Sequence, residues 1–552
     1  RRAASPWLSA CRAARSEAAR LTALVARGRR AGHVTENSAR DPDDAANPAD
    51  FRSDSALAKF GFDAGTAGRW TATLEQGRGE RQTDVQSQLF GPGRFATTYA
   101  LLADDRFRRD RISLATEWDS LGPVGPVRAL AYRQSSRSEQ WSDQFRLPDR
   151  ATPFASRRER GFLFEQVSTG LELTGQWRGE TGGFAHWQVF GIDLARHDFE
   201  GLREGFETNL ATGAGTPVIL GEVFPLRDFP NSRANELGLF WQDEIRFGDG
   251  WALVPGLRWE RYSLDARPDA IWREDNPAVA PASLDSDAFT PKLGLRWNGA
   301  RLGVYAQYAR GFRAPPFADV NIGLNLPAFN YVALPNPGLR PETSDGYELG
   351  ARWAGDVLQA SVAVYENRFE DLIESRANLG RNDAGQLVFQ SVNRDRARIR
   401  GAELEARWYL DAWLPSAPGW YVDLTAAWAR GDDTARDQPL NSVPPGRASL
   451  AAGYGAPDGG WGGELRVTGV RRVTRADQTA AALYLPPGYS TWDANAWWAI
   501  GDQVRLNLTL HNLADRRYWD WSTLRGLAAT ADDIDFYSRP GRGASLGVRV
   551  EF

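Results

Sequence analysis

Along most of the chain, apolar residues recur at every second position, and this period restricts the possible folds more than any other feature. In the segment 302–308 the even positions are apolar or aromatic, and they alternate with Gly303, Tyr305 and Gln307. The same alternation recurs in other segments, at 347–353, 402–408, 420–428, 504–510 and 544–552. A period of two places alternate side chains on opposite faces of a β-strand, whereas a helix needs a period near 3.6. The pattern therefore predicts a chain built mainly from strands.

The composition of the two faces distinguishes a membrane barrel from a soluble sandwich, which alternates as well. The segments have about 8 to 12 residues, the length of a tilted strand that crosses a bilayer. One face carries charged residues such as Glu403, Glu405 and Arg407, as expected beside a water-filled lumen. Tryptophans such as Trp353 and Trp408 stand at segment ends, where a membrane barrel has its aromatic girdle. The two faces thus predict a transmembrane β-barrel.

The connections between segments alternate in length. Short turns are predicted at 248–250, 298–300, 354–356, 455–460 and 500–502. Long loops are predicted at 262–288, 311–345, 369–397, 430–446, 471–489 and 514–542. Bacterial barrels have short turns on the periplasmic side and long loops outside. On this rule the last strand runs towards the periplasm, and the proline-rich stretch 311–345 lies outside the cell.

The predicted fold is all-β: a transmembrane antiparallel β-barrel of about 22 strands, with short periplasmic turns and long extracellular loops. About 13 strands follow residue 236, and about seven more are expected at 55–62, 68–76, 95–103, 110–119, 126–135, 160–177 and 183–199. The barrel domain is assigned to 36–552, and 1–35 is expected to hold an incomplete first pair of strands. For 8–33 a helix is the alternative, because the stretch is rich in Ala, Leu, Arg and Glu.

Charge and motifs exclude several function classes. The net charge is -4, with 66 basic and 70 acidic residues scattered along the chain, which gives no reason to expect nucleic acid. The sequence has no P-loop or HExxH motif, and its four histidines form no metal-binding pair. We therefore expect no enzyme, no metal site and no intrinsic cofactor, and we expect outer-membrane lipid as a partner of the barrel.

Several motifs, taken in their order and spacing, resemble a known family. They include "YARGFRAPPF" (308–317), "LPNPGLRPETSDGYELG" (334–350), "LTLHNLADRRYWDW" (508–521) and "SRPGRGASLGVRVEF" (538–552). From about Gly32 to Phe552 the chain resembles the barrel portion of TonB-dependent outer-membrane receptors. It is most similar to the haemoglobin, transferrin and lactoferrin receptor branch, which includes haem importers.

The resemblance implies a ligand-binding loop between two signatures. The residues that match them are Phe312, Arg313, Ala314 and Pro315 at one end, and Asn336, Pro337, Gly338 and Leu339 at the other. In the family this loop often offers a haem-ligating histidine, but 316–335 contains none. Tyr331 is the residue of this window whose phenolate could ligate ferric haem. The alternative is that the prolines only stiffen a surface loop and bind no ligand.

The resemblance also implies a function in the bacterial outer membrane. We expect active uptake of haem or another iron carrier, with energy from TonB. The expected partners are TonB and a ligand that is haem, a haemoprotein or another iron carrier. Haem would then be a transported ligand. Neither a plug domain nor a TonB box is visible in 1–50, so both are expected upstream of this sequence. Two alternatives stay open: TonB-dependent uptake of another nutrient such as a saccharide, and a passive porin or surface-binding barrel.

Overall fold

The computed structural model describes residues 21–550, apart from 37–46, 92, 278, 327–329, 414, 417, 480 and 532–533. The strands, numbered in chain order, are β1 (Leu21–Glu36), β2 (Asn47–Asp63), β3 (Arg69–Asp84), β4 (Thr98–Trp118), β5 (Val127–Arg146), β6 (Ser156–Thr181), β7 (Phe184–Asn209), β8 (Gly215–Thr216), β9 (Val218–Ile219), β10 (Glu222–Val223), β11 (Asn231–Phe247), β12 (Trp251–Arg267), β13 (Leu284–Asn298), β14 (Leu302–Arg313), β15 (Leu324–Leu326), β16 (Tyr331–Leu334), β17 (Glu342–Ala354), β18 (Leu358–Arg381), β19 (Leu387–Tyr409), β20 (Trp420–Asp433), β21 (Gln438–Pro439), β22 (Arg447–Gly455), β23 (Trp461–Val470), β24 (Tyr489–Ile500), β25 (Val504–His511) and β26 (Gly543–Val550). The short helices are α1 (Ala270–Asp275), α2 (Phe317–Asn321) and α3 (Trp521–Leu524).

One 24-stranded sheet forms the wall. Four of its strands, β8, β15, β16 and β21, have only two to four residues and belong to loops. The other 20 follow one another as antiparallel neighbours, as in an up-and-down barrel. This antiparallel sheet confirms the predicted all-β fold.

The strand count can be compared region by region. The 13 strands predicted after residue 236 are present, beginning with β11. Of the pair predicted within 1–35, β1 is described, and residues 1–20 lie outside the described part. Residues 21–33 are strand, so the helical alternative is wrong for that stretch.

Three boundaries differ from the prediction. The strands expected at 95–103 and 110–119 are one strand, β4, of 21 residues. The loop expected at 369–397 is a long hairpin, in which β18 and β19 stay paired up to Arg381 and Leu387. The strand expected at 183–199 is β7, which continues to Asn209. In all three cases the strands continue beyond the apolar belt, where both faces carry polar residues and the period of two is lost.

The outer face of the wall carries an apolar belt. Large side chains that are 39–67% exposed lie along it, among them Leu114, Leu173, Leu239, Leu349 and Leu546. Their strand neighbours point to the other face, because alternate residues project to opposite sides. No helix in the described part of the chain has the length and apolar character needed to cross a bilayer.

Candidate functional site: the external mouth

The signature loop is defined here as residues 314–341, and its described residues pack on neighbouring elements as a lid. It connects β14 to β17, which remain paired up to Arg313 and Glu342. Within it, α2 is followed by a small hairpin of β15 and β16. β16 also lies parallel to the upper part of β19, with Tyr331 opposite Leu387. Because β20 pairs with β19 only up to Ala397, β16 covers the strand edge that β20 leaves open.

Two buried polar side chains fix this loop to its surroundings. Asp319, which is 8% exposed, accepts hydrogen bonds from the hydroxyls of Ser375 (2.8 Å) and Ser391 (2.9 Å). Asn321, which is 1% exposed, accepts from the backbone N–H of Ala282 (2.7 Å) and donates to its carbonyl oxygen (2.8 Å). Buried polar groups with all partners in place favour a single conformation. The loop is thereby attached to β18, β19 and the loop 268–283.

An apolar cluster lies under the loop. Val320 and Leu339 pack with Ala234, Leu264 and Ile373 of the wall, and all five side chains are buried. The cluster thus removes Val320 and Leu339 from water although they belong to an external loop. The cluster joins the first half of the loop to its second half.

The residues of the first signature lie where β14 passes into the signature loop, and Tyr331 lies further along the loop. Phe312 and Arg313 belong to the end of β14, where the Arg313 guanidinium lies 3.6 Å from the Glu342 carboxylate. Ala314 follows them, and Pro315 is fully buried. Tyr331 stacks on Phe389 of β19, with ring centres 5.0 Å apart.

The second signature is a turn held by its asparagine. The Asn336 side chain donates to the carbonyl oxygen of Ser391 (2.8 Å) and accepts from the N–H of Gly338 (3.0 Å). Its backbone N–H donates to the carbonyl oxygen of Val320 (3.1 Å). Pro337 is exposed and Leu339 is buried. The structure therefore brings Asn336, Pro337 and Leu339 close to α2. Tyr331 of β16 lies apart from them, against Phe389 of β19. The roles of these residues in binding stay predictions.

An aromatic cluster that the sequence did not single out lies beside α2. Phe317 stacks on Phe199 of β7 at 4.3 Å, meets Phe229 edge-on at 5.0 Å and lies parallel to Phe164 of β6 at 6.4 Å. These rings come from two strands and two loops. The one sequence signal for this cluster is the alternation along β6 and β7. It places Phe164 and Phe199 on the same strand faces as polar residues of the lumen.

His197 lies below this cluster. Its Nδ1 is 2.8 Å from the Ser168 hydroxyl, and its Nε2 is 4.0 Å from a carboxylate oxygen of Glu236. His197 is a part-buried residue inside β7. No group of three or more His, Cys, Asp or Glu suited to a metal ion occurs among the described residues.

The loops 210–230 and 268–283 are joined by ion pairs. Arg203 of β7 lies 2.8 Å from Glu222 and 3.1 Å from Asp228, and Arg227 lies 2.9 Å from Asp269. Burial raises the pKa of Asp228 in spite of Arg203. Partial burial and the nearby carboxylate of Asp228 raise the pKa of Asp275 to about 6. With Gly323 N–H donating to the Asp228 carbonyl oxygen (2.7 Å), three loops form one connected lid.

Comparison with known proteins agrees with this architecture. The family model described as TonB dependent receptor-like, beta-barrel matches residues 32–513. The hemoglobin-haptoglobin utilization protein B of Neisseria meningitidis is 23% identical, over 92% of this chain and 68% of that protein. Among solved structures, the copper transporter OprC superposes with a TM-score of 0.71 at 18% identity, covering 97% of this chain and 78% of that one. The FrpB iron transporter from Neisseria meningitidis gives 0.66 at 14% identity, covering 96% and 77%.

These structural likenesses are below 25% identity and show the fold. The family match covers most of the chain, and it includes the signature loop and the wall from β2 to β25. The predicted resemblance and the outer-membrane location are confirmed. The chain belongs to the TonB-dependent receptor-like β-barrel family of the bacterial outer membrane.

Proposed function

We propose that this protein takes up haem or another iron-carrier ligand through the outer membrane, with energy delivered by TonB. The proposal is supported by similarity to a hemoglobin-haptoglobin utilization protein along 92% of this chain. Lactoferrin-binding protein A of Neisseria meningitidis is also similar, with 26% identity over 44% of this chain. Proteins of these names bind or use iron-containing proteins, and neither name denotes an enzyme. We therefore propose a transport receptor without catalytic activity.

The observation that carries the proposal is the signature loop. A passive pore needs no ordered lid, yet this loop buries Asp319, Asn321 and Leu339 to keep its shape over the wall. A defined external surface is what recognition of a specific ligand requires. The same surface would serve a haemoprotein, free haem or another carrier, because all of them arrive from outside the cell.

Some of the predicted site residues would hold the shape of the loop, and others would contact a ligand. Pro315, Asn336 and Leu339 are buried or internally hydrogen-bonded, so they would act by holding the loop. Arg313, whose side chain is 51% exposed, and the exposed Pro337 are available to a ligand. Tyr331 is proposed as the residue that contacts haem, since its ring is already held against Phe389. Haem would be cargo and not a resident cofactor.

The first experiment is a haem titration of the full-length receptor followed by absorbance in the Soret region. Binding with a phenolate-type spectrum is expected for the wild type, and Tyr331→Phe should lose that spectrum. Tyr347→Phe serves as the matched control, because Tyr347 lies on the outer face of β17. If the wild type shows no Soret change, haem is removed from the proposal and other iron carriers remain.

A second experiment tests the energy requirement. Cells that express the receptor should grow on the iron source only when TonB is present. Growth without TonB would favour the passive porin or surface-binding barrel. Uptake of a saccharide, with no iron source supported, would favour the other nutrient alternative.

A further inference from the structure

The outer face of the wall between β5 and β13 carries a long apolar groove. It has a volume of about 610 Å³ and is lined by large side chains, including Leu173, Ile192, Leu239, Leu257, Trp259 and Phe289. Five of these residues follow one another across neighbouring strands, because Ile192 lies opposite Leu173 and Leu239, and Trp259 lies opposite Leu239 and Phe289. Gly175 belongs to the same groove, where a Cβ would stand 2.8 Å from the ring of Phe190. The groove is part of the apolar belt and therefore faces lipid chains.

A second depression of about 930 Å³ adjoins the groove on its external side. Its lower row consists of Ala131, Leu171, Leu194 and Leu237, which lie opposite one another on β5, β6, β7 and β11. Two residues further out, the next row consists of Arg133, Thr169, Arg196 and Asn235. Within two residues along each strand, the surface thus changes from an apolar row to a polar row that contains two arginines.

The arginines of this boundary are open to the outside. We name Arg133, Arg196 and Arg261 the arginine band. Arg196 and Arg261 are 48% and 61% exposed and have only loose carboxylate partners, Asp198 at 3.3 Å and Asp285 at 3.8 Å. Asp198 is itself held more closely by Arg233, at 2.6 Å. Arg133 forms no ion pair with any residue in the described part of the chain.

The spacing of the band suits one headgroup. Neighbouring strands lie about 4.8 Å apart, so Arg133 on β5 and Arg196 on β7 are separated by about 10 Å at their backbones. Arginine side chains can close such a gap and present paired N–H donors to phosphate oxygens. At the edge of the apolar belt these contacts are screened less than in bulk water.

We propose that this part of the wall binds one phosphorylated lipid of the outer leaflet. Its acyl chains lie in the apolar groove, and its phosphate groups contact the arginine band. The contiguity of the two features carries the assignment, because free phosphate would need only the band and a neutral lipid only the groove. The site goes beyond uptake of a ligand, since it lies on the outside of the barrel and not in the mouth.

The test uses the full-length receptor in detergent and lipid A, an acylated glucosamine disaccharide that carries two phosphates, as the probe. Bound lipid is measured by native mass spectrometry and by titration. The triple variant R133Q/R196Q/R261Q should bind the probe at least about tenfold more weakly, because three charge-assisted contacts are lost. The control triple R52Q/R106Q/R368Q alters exposed arginines outside the depression and should bind as the wild type does.

Two further arms separate the possible sources of phosphate. Dephosphorylated probe should bind the wild type and the triple variant equally weakly, and inorganic phosphate alone should not displace the probe. The proposal is overturned if the triple variant binds like the wild type, if removal of the phosphates has no effect, or if inorganic phosphate competes at concentrations equal to the lipid. Folding of each variant is checked by its heat-dependent mobility on a gel. Should the triple variant not fold, R133Q alone, which breaks no ion pair, must still weaken binding measurably.

Discussion

The external mouth is built in different ways near the two ends of the chain. In β4–β7 the strands have 20–26 residues, and ladder hydrogen bonds carry the wall far beyond the apolar belt. In β22–β26 the strands have only 8–12 residues, and loops with short helical turns make up the rest. We call these the tall side and the short side.

The interior of each side shows how it is held. On the tall side, Arg146 and Arg158 are each 2% exposed and share the carboxylate of Glu207. On the short side, the buried Trp521 donates to the backbone carbonyl of Asn441, and the Asn441 side chain binds the backbone of Asp477. The comparison shows that buried charge on a continuous ladder holds the tall side, whereas amide links between distant residues hold these loops of the short side.

The largest expected effect is on the tall side. Glu207→Ala leaves two buried guanidinium groups without their shared carboxylate, which lies 2.8 Å from Arg158 and 3.6 Å from Arg146. We expect the local free energy of unfolding to fall by about 3–5 kcal/mol. This loss is measured by hydrogen exchange of the backbone amides at the external ends of β6 and β7. R106Q, which breaks an exposed pair with Asp104, should change it by less than about 1 kcal/mol, and equal effects of the two variants would contradict the role of burial.

The next effect concerns the signature loop. Asp319→Ala removes the acceptor of two serine hydroxyls and should destabilise the loop locally by about 2–4 kcal/mol. Faster hydrogen exchange in 314–341, with an unchanged barrel, is the expected result. Asn325→Ala removes only an exposed hydrogen bond to Gln386 and is the control. If both variants exchange like the wild type, the loop does not depend on its buried anchor.

On the short side, a smaller loss is expected from Asn441→Ala. The variant removes two hydrogen bonds to Asp477, of 2.7 and 3.0 Å, which are worth about 1–2 kcal/mol together. Limited proteolysis within 471–488 should become faster. T479A, which alters an exposed contact to the same Asp477, should leave the rate nearly unchanged. An effect as large as that of Glu207→Ala would remove the distinction between the two sides.

The smallest effect depends on pH. The pKa of Asp275 is about 6 in the folded lid and about 4 in an unfolded chain, so the folded state prefers the neutral carboxyl. This contribution is fully present below pH 4 and is lost as the pH rises through about 6. Because the partly buried side chain of Asp275 still contacts water, we expect a change below about 1 kcal/mol.

Hydrogen exchange of the loop 268–283 at pH 4.5 and 7.5 tests this prediction. The wild-type loop should be better protected at pH 4.5 after correction for intrinsic rates. Asp275→Asn should reduce the difference, because only the raised pKa of Asp228 then remains, while Asp285→Asn, outside this ion cluster, should retain it in full. A wild-type loop that is better protected at the higher pH would reverse the predicted sign.

Much of the fold was predictable because strand parity is a local property. The 13 strands after residue 236 and the short turns between them follow from alternation and from glycine-rich connections. The alternation gave a wrong boundary in β4, where the strand leaves the apolar belt. The stretch 104–111 has charged residues on both faces, so one continuous strand was predicted as two. For the same reason the hairpin of β18 and β19 resembled a loop.

The site was less predictable than the wall. The two signatures marked the ends of the loop, but nothing local indicated that Asp319 and Asn336 both bind to Ser391. The strand predicted at 183–199 was too short because the polar residues after it concealed the rest of β7. The aromatic cluster around Phe317 joins rings from four separate segments, which no local pattern can bring together.

The sequence by itself determined the strand class, the inward and outward faces, the direction of the loops and the family. These properties depend on a backbone repeat of two residues and on the different solvents at its two faces. Only the tertiary structure decided the height of the wall, the closed shape of the signature loop and the adjacency of the arginine band to the apolar groove. They rest on contacts such as Asn321 with Ala282 and Trp521 with Asn441, which are 39 and 80 residues apart, and on the register between neighbouring strands.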